Sequence, residues 1–268
     1  MRARTISTLV FLLVAPGMAS AADGRLEINQ ACVAAGCFAG DAPGLPVQTQ
    51  PHQSYVLTSN LALGPSLAGV VLEDGSTLDF NGFEIAGDLV CSGTPAICPE
   101  QDFSGAAAVV ARSGSVLRGG TIRGTRGLGV LVEPFVRVER MRIEQNGAGG
   151  LGTGAAGAGG CLVEDSFVLR NGHNAMSFAV VGGTLGARIV RNTIHGNGAA
   201  GVVGAVSLLE GNAITKNAEA GAELNYLGST TGYAGNQFFG NNLGSPGPQL
   251  IGGVEIGPNV CGTDTVCP

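Results

Sequence analysis

The sequence predicts an all-β fold, a parallel β-helix of about seven coils with three short strands in each. Three observations predict it. An apolar-x-x-Asn tetrad recurs about every 23 residues, and glycine fills 46 of 268 positions without the three-residue period of collagen. Apolar residues make up 44% of the chain although tryptophan is absent, so a core must be built from Val, Ile, Leu and Ala.

The first element is a leader. Arg2 and Arg4 precede an apolar run from Ile6 to Ala15, followed by Pro16-Gly17 and the small residues Ala19-Ser20-Ala21. This pattern fits a secretory signal peptide over residues 1–21, with an apolar core too short to span a bilayer and no second long apolar segment behind it. The expected location is secreted, periplasmic or on the cell surface. Removing the leader leaves 12 basic against 20 acidic residues, a net charge of −8, and Lys216 is the only lysine. Nucleic acid is thereby disfavoured, since a duplex-binding surface needs clustered Lys and Arg to displace counterions. No calcium-loop pattern is present, and neither a cofactor nor a metal is implied.

Residues 22–64 read as an N-terminal cap and leading strand, 65–245 as the β-helix, and 246–268 as a C-terminal cap rich in Gly and Pro. Six cysteines fall into three short-range pairs, Cys32/Cys37, Cys91/Cys98 and Cys261/Cys267, which suits an oxidising compartment. Three local disulfides are expected, although six cysteines allow fifteen connectivities. The seventh, Cys161, stands at an inward repeat position and is expected to be buried and inert.

The tetrads are Ile143–Asn146, Val168–Asn171, Ile194–Asn197, Ile214–Asn217 and Phe238–Asn241, and two earlier copies keep the leaders Ile85 and Ile122 without the Asn. Five places before the leaders stand Phe80, Leu117, Val138, Val163, Ile189, Leu209 and Tyr233, all apolar or aromatic. Small or apolar residues occupy the place seven before. Eight places after the second to sixth leaders come Val130, Leu151, Met176, Val202 and Ala222, opening a third strand. Period-two inward positions in three segments per repeat give three strands around one interior. Two places before the leader the copies read Gly120, Met141, Ser166, Asn192, Asn212 and Asn236, which suits a sharp bend: Asn tolerates the left-handed region and stacks by hydrogen bonds from coil to coil. Glycine recurs after the closing Asn, as in NGAGGL and NGAAGV, where the chain turns again.

The segment STLDFNGFEI (76–85) and the N-x-I-x-x-N copies from 192 to 241 resemble the bacterial right-handed parallel β-helix repeat proteins of the pectate-lyase-like superfamily. The likeness covers about 65–245, and SYVLTSNLAL (54–63) is similar to the strand such proteins place ahead of the first coil. It implies a right-handed fold. The catalytic signatures of pectate lyases, alginate epimerases and polygalacturonases are absent, so no activity is carried over with it.

Outward positions four before each leader are Asn81, Arg118, Glu139, Glu164, Val190, Glu210 and Ala234. Glu139 and Glu164 fall on adjacent coils of one face, with Arg137 and Arg188 beside them. Paired carboxylates with arginines to hold a sugar acid suit polysaccharide chemistry, making Glu139 and Glu164 candidate catalytic residues and Arg118, Arg137, Arg188 and Glu210 candidate substrate-binding residues. The same residues also read as an ordinary solvated face whose cross-strand Glu/Arg pairs offset repulsion. His52, His173 and His195 have no partner at metal-ligand spacing. The loop 88–105 reads as a disulfide-pinned flap with Glu100 and Asp102 as secondary candidates, and GAGGLGTGAAGAGG (147–160) as a glycine-rich turn and strand loop. The leading expectation is a secreted module binding extracellular polysaccharide or making envelope contacts. A lyase, hydrolase or epimerase acting on an acidic glycan and a purely structural or adhesive module are the alternatives.

Overall fold

A computed structural model describes residues 24–64, 68–99, 101, 106–153, 157, 159–178, 186–224, 230–244 and 247–262. The expected leader, Glu100, Asp102 and Cys267 lie outside them. Strands wind into three parallel sheets of ten, nine and nine strands, each pairing with its equivalent one coil earlier and one coil later. The coil at the middle contributes Arg137–Glu139 to the first sheet, Arg142–Glu144 to the second and Gly149–Thr153 to the third. The next contributes Leu162–Glu164, Phe167–Leu169 and Met176–Phe178, in register.

Eight complete coils lie between Ser54 and Ile251, one more than the repeat implied. The extra coil is the segment expected as a leading strand. Ser54–Leu57, Leu61–Ala62 and Val70–Leu72 pair with the coil that follows in all three sheets, but this coil lacks the Asn tetrad and escapes a search built on it. A four-residue helix, α1 (Gln30–Val33), is capped by the Asn29 side chain on the Cys32 amide, tied down by the Cys32–Cys37 disulfide, and sends Val33 into the core. Cys91–Cys98 forms as expected; Cys261 is disulfide-bonded, and its expected partner Cys267 is outside the described residues.

Every leader from Ile85 to Phe238 is fully buried, as are Val130, Leu151, Met176, Val202 and Ala222 of the third sheet. At roughly 1.5–3 kcal/mol for each large aliphatic side chain removed from water, these columns are the main stabilising term. Two registers differ from expectation: a bulge sets Val206, not Ser207, opposite Ala187, and the first strand of the second coil is displaced by two residues. Leu78, not Phe80, pairs with Leu117, so Asp79 and not Asn81 stands beside Arg118 on the outer face. The corner Asp79–Phe83 is two residues longer than later corners, and Phe80 packs over Gly120, where a Cβ would lie 2.2 Å from the Phe80 Cβ.

Two polar ladders close the corners. Between the first and second sheets, Ser166, Asn192, Asn212, Asn236 and Asn259 are chained by backbone-to-side-chain bonds of 2.9, 2.8, 3.0 and 2.9 Å. Between the second and third, Thr125, Asn146, Asn171, Asn197, Asn217 and Asn241 stack, each Asn amide donating to the next at 2.8–3.0 Å. The stacking matches expectation, but the left-handed backbone does not fall on the ladder Asn. It falls one residue earlier, at Arg140, Asp165 and Arg191 in one corner and at Gln145, Arg170 and Lys216 in the other, with φ between 50° and 56°. The ladder residue stays buried to bond its neighbours while its less buried predecessor takes the bend.

Glycine after the closing Asn has a different cause from turning. Gly172 and Gly198 have no positive φ; a Cβ on Gly172 would meet the Cys98 Sγ and the Gly147 carbonyl at 2.5 Å. A Cβ on Gly198 would meet the Gly172 and Ala96 carbonyls at 2.3 and 2.7 Å. The disulfide flap lies across this corner. Leu89 donates to the Gly124 carbonyl and Ala96 to that of Gly196, while the Gln101 side chain donates to Gly172.

Candidate functional site

Glu139 and Glu164 are direct cross-strand partners on the outer face of the first sheet. Like charges in that position repel, and arginines resolve the repulsion. Arg137 reaches both carboxylates, at 3.0 Å to Glu139 and 2.5 Å to Glu164. Arg140 adds a contact to Glu139 at 3.2 Å, and Arg191 one to Glu164 at 3.0 Å. Arg191 also holds Asp165 through two bonds of 2.7 and 2.8 Å. Hydrogen bonds from Arg191 keep the Asp165 carboxyl below the usual range, and the Arg191 guanidinium is pushed up in return. Arg137 is raised chiefly by its hydrogen bond to Glu164.

The layering of this cluster matters. The carboxylate side chains are only 13–14% exposed, whereas Arg137, Arg140 and Arg191 are 50–65% exposed. Carboxylates lie beneath and guanidinium groups on top, so the surface presents fixed N–H donors. Further along the same face Arg25 and Arg118 converge on Asp79, at 3.2 and 3.1 Å.

Among the residues expected from sequence, Glu139, Glu164 and Arg137 come together, and Arg118 belongs to the neighbouring Asp79 cluster. Arg188 and Glu210 are exposed and make no ion pair among the described residues. The second arginine on Glu164 is therefore Arg191, not Arg188. Arg140, Asp165 and Arg191 were missed because they sit on the corner, not on a strand. Their signal was available: each stands three places before a leader, a charged column running beside the bend.

A cleft of about 410 Å³ opens at this corner, lined by Gly82, Gly120, Arg140, Arg142, Asp165 and Phe167. Gly120 keeps its floor low. Phe167 is 49% exposed on its wall, an aromatic face beside two arginines and a carboxylate. A second hollow of about 330 Å³ lies on the third sheet between Leu128, Gly152, His173, Ser177 and Phe178.

The other candidates are quieter. His195 faces outward and its Nδ1 lies 2.8 Å from the Thr215 hydroxyl. Cys161 is buried and free, its thiol donating to the Glu133 carbonyl, and burial pushes its pKa up to about 11. Among the described residues no three His, Cys, Asp or Glu side chains gather as a metal site, and no helix is long and apolar enough to cross a membrane.

With the winding and the site in place, comparison with known families is decisive for the fold. The family model for the right-handed beta helix region matches residues 52–254. The chain belongs to the right-handed β-helix family. Neither the curated proteins nor the solved structures contain a match. In this right-handed β-helix the matched span begins just before the first complete coil and ends on the strand Val254–Glu255 behind the eighth, so the extra N-terminal coil is part of the family region. Family membership fixes the scaffold, and the activity must be argued from the side chains.

Proposed function

We propose that this right-handed β-helix is an exported surface module that binds extracellular polysaccharide along the corner between its first and second sheets. The observation that carries the reading is the corner cleft: exposed Phe167 beside Arg140, Arg142 and Asp165, continuous with the guanidinium-topped strip over Glu139 and Glu164. Sugar rings offer an apolar face and a rim of hydroxyls. Phe167 suits the first, and donors fixed by ion pairs suit the second at little ordering cost. The charged corner residues Arg140, Asp165 and Arg191 follow one another on adjacent coils at steps of ~4.8 Å, which favours an extended chain over a small ligand. Cys32–Cys37 and Cys91–Cys98 support an oxidising destination.

Binding is favoured over catalysis because both glutamates are occupied. An acid/base pair needs one carboxyl to hold a proton and one to remain free, whereas Glu139 and Glu164 are each gripped by two arginines. The test is a screen of the full mature chain against neutral and acidic polysaccharides, following binding together with the release of reducing or unsaturated ends. Binding without product, weakened about tenfold or more by Phe167→Ala, is expected. Product formation that disappears in Glu139→Gln or Glu164→Gln would replace this reading with an enzymatic one. Self-association with no response to any sugar would replace it with a structural one.

A further inference from the structure

Among the described residues, three basic side chains stand outside the ion pairing of the surface. Of the twelve basic residues from Arg25 onward, nine form ion pairs among the described residues. The other three are Arg188, Arg170 and Lys216, and the last two lie close together. They occupy equivalent left-handed positions in the corner between the second and third sheets, with Gly196 between them on the intervening coil. Two coil steps separate them by ~10 Å.

Gly196 has no side chain at the middle position, and the Thr94 side chain of the flap takes that space. A Cβ there would fall 2.9 Å from Thr94 of the disulfide flap and 3.5 Å from the Arg170 Cγ, so the stem of Arg170 is packed beside the flap. The Arg170 Nε is buried and has no hydrogen-bond partner. A buried guanidinium donor without an acceptor is costly in a folded protein, and such groups call for a partner. His195 and Thr215 line the same notch, linked at 2.8 Å. His195 is held below its usual pKa first by burial and then by the charges of Lys216 and Arg170, which places both cations within electrostatic reach of the ring. Glu144, in register with His195 two coils earlier on the second sheet, is engaged by Arg142 at 2.6 Å.

We infer that Arg170, Lys216 and His195, beneath the edge of the flap, form an anion-binding notch for a sulfate or carboxylate group of an acidic saccharide. It is separate from the charge-balanced strip on the first sheet; the anion site stands on its own geometry, and only the saccharide that carries the anion rests on the function proposed above. Two unpaired cations about 10 Å apart span one oxyanion, which each approaches from its own side, while Thr215 supplies a neutral donor. The notch confers a preference for acidic over neutral chains, which the arginines over Glu139 and Glu164, each matched to a carboxylate, do not.

The experiment uses the full mature protein with dextran sulfate, polygalacturonate and neutral dextran as probes. Arg170→Gln and Lys216→Gln are safe variants, because Gln145 already occupies the equivalent left-handed corner position at φ 56°. Dextran sulfate or polygalacturonate should bind more tightly than dextran, and each variant should lose about tenfold in affinity for the polyanion. The His195 ring proton, followed by NMR, should shift on adding the polyanion, and its pKa should rise as the ligand offsets the neighbouring cations. The more strongly bound polyanion distinguishes sulfate from carboxylate. Phe167→Ala leaves polyanion selectivity intact, so failure of the cleft reading and failure of the notch are told apart. Equal binding of dextran and both polyanions, or affinity unchanged in both Gln variants, overturns the inference.

Discussion

Replacing Asn197 by alanine removes one rung of the inner ladder, and the structure sets the size of the loss. The Asn197 Oδ1 accepts both the backbone N–H and the side-chain amide of Asn171 at 3.0 Å, while its Nδ2 donates to Asn217 at 2.8 Å and to the Val168 carbonyl at 3.2 Å. The two neighbours fare differently. Asn217 keeps an incoming bond from the Asn197 backbone, and the Asn171 amide keeps the Ile143 carbonyl, but the Asn171 backbone N–H loses its acceptor in a fully buried site. An orphaned buried donor costs ~1–3 kcal/mol and each further lost bond ~0.5–1.5 kcal/mol, so Asn197→Ala should destabilise by about 3–5 kcal/mol. With an m-value near ~2–3 kcal/mol/M for a chain of this size, the urea midpoint falls by roughly 1–2 M. Asn60→Ala, which removes an acceptor that water can replace at an exposed corner, serves as the comparison and should change stability by less than ~0.5 kcal/mol. A loss below ~1 kcal/mol for Asn197→Ala with an unchanged m-value would refute the assignment of net stability to the ladder.

Gly172→Ala should push the flap off the coils, because the new methyl meets the Cys98 sulfur and the Gly147 carbonyl at 2.5 Å; hydrogen exchange at Ala96, bonded to Gly196, should quicken at least about tenfold while core strands stay protected. Unaltered exchange at Ala96 would show that the corner yields instead. Cys161 should resist alkylation at pH 8 until the protein is unfolded, as its thiol is buried and raised to about 11. The linkage has a definite sign: the unfolded thiol ionises first, so this residue's contribution is intact below its ordinary pKa and lost as pH climbs toward 11. Its Cys161→Ser variant should lose that part of the alkaline slope. Glu164→Gln should loosen Arg137 and Arg191, which keep Glu139 and Asp165 as partners, detected as faster guanidinium exchange by NMR, with little change in the urea midpoint because both arginines are half-exposed.

The coils were legible because a buried column must repeat its residue type at every turn. Ile143, Val168, Ile194 and Ile214 announce themselves by spacing alone, and their Asn partners by the polarity of a closed corner. The first coil was not legible. Tyr55, Leu61 and Val70 fill the same three inward positions, but without an Asn corner the interval carries no marker. Phe80 misled for a related reason: an apolar residue at the expected distance fits the ruler even when a longer corner has moved the strand by two. At the candidate site, Glu139 over Glu164 followed from strand alternation, which is strictly periodic. Arg191 and Asp165 did not, because corner residues point where the left-handed bend sends them, and strand parity says nothing about that direction. The reach of the flap, from Leu89 to Gly198, was beyond any local pattern; only the side-chain-free glycines at 172 and 198 hinted that something lay over them.

That reach changes how the rod should come apart. A solenoid in which each coil touches only its neighbours frays from its ends, one repeat at a time, because no coil knows the state of another two turns away. Here a segment leaving the second coil bonds Gly124 in the third, Gly172 in the fifth and Gly196 in the sixth. Opening any of these coils first requires the strap to lift from all of them. The flap therefore converts a chain of nearest-neighbour couplings into a single cooperative block spanning the second to sixth coils, leaving the seventh and eighth to open independently at lower cost.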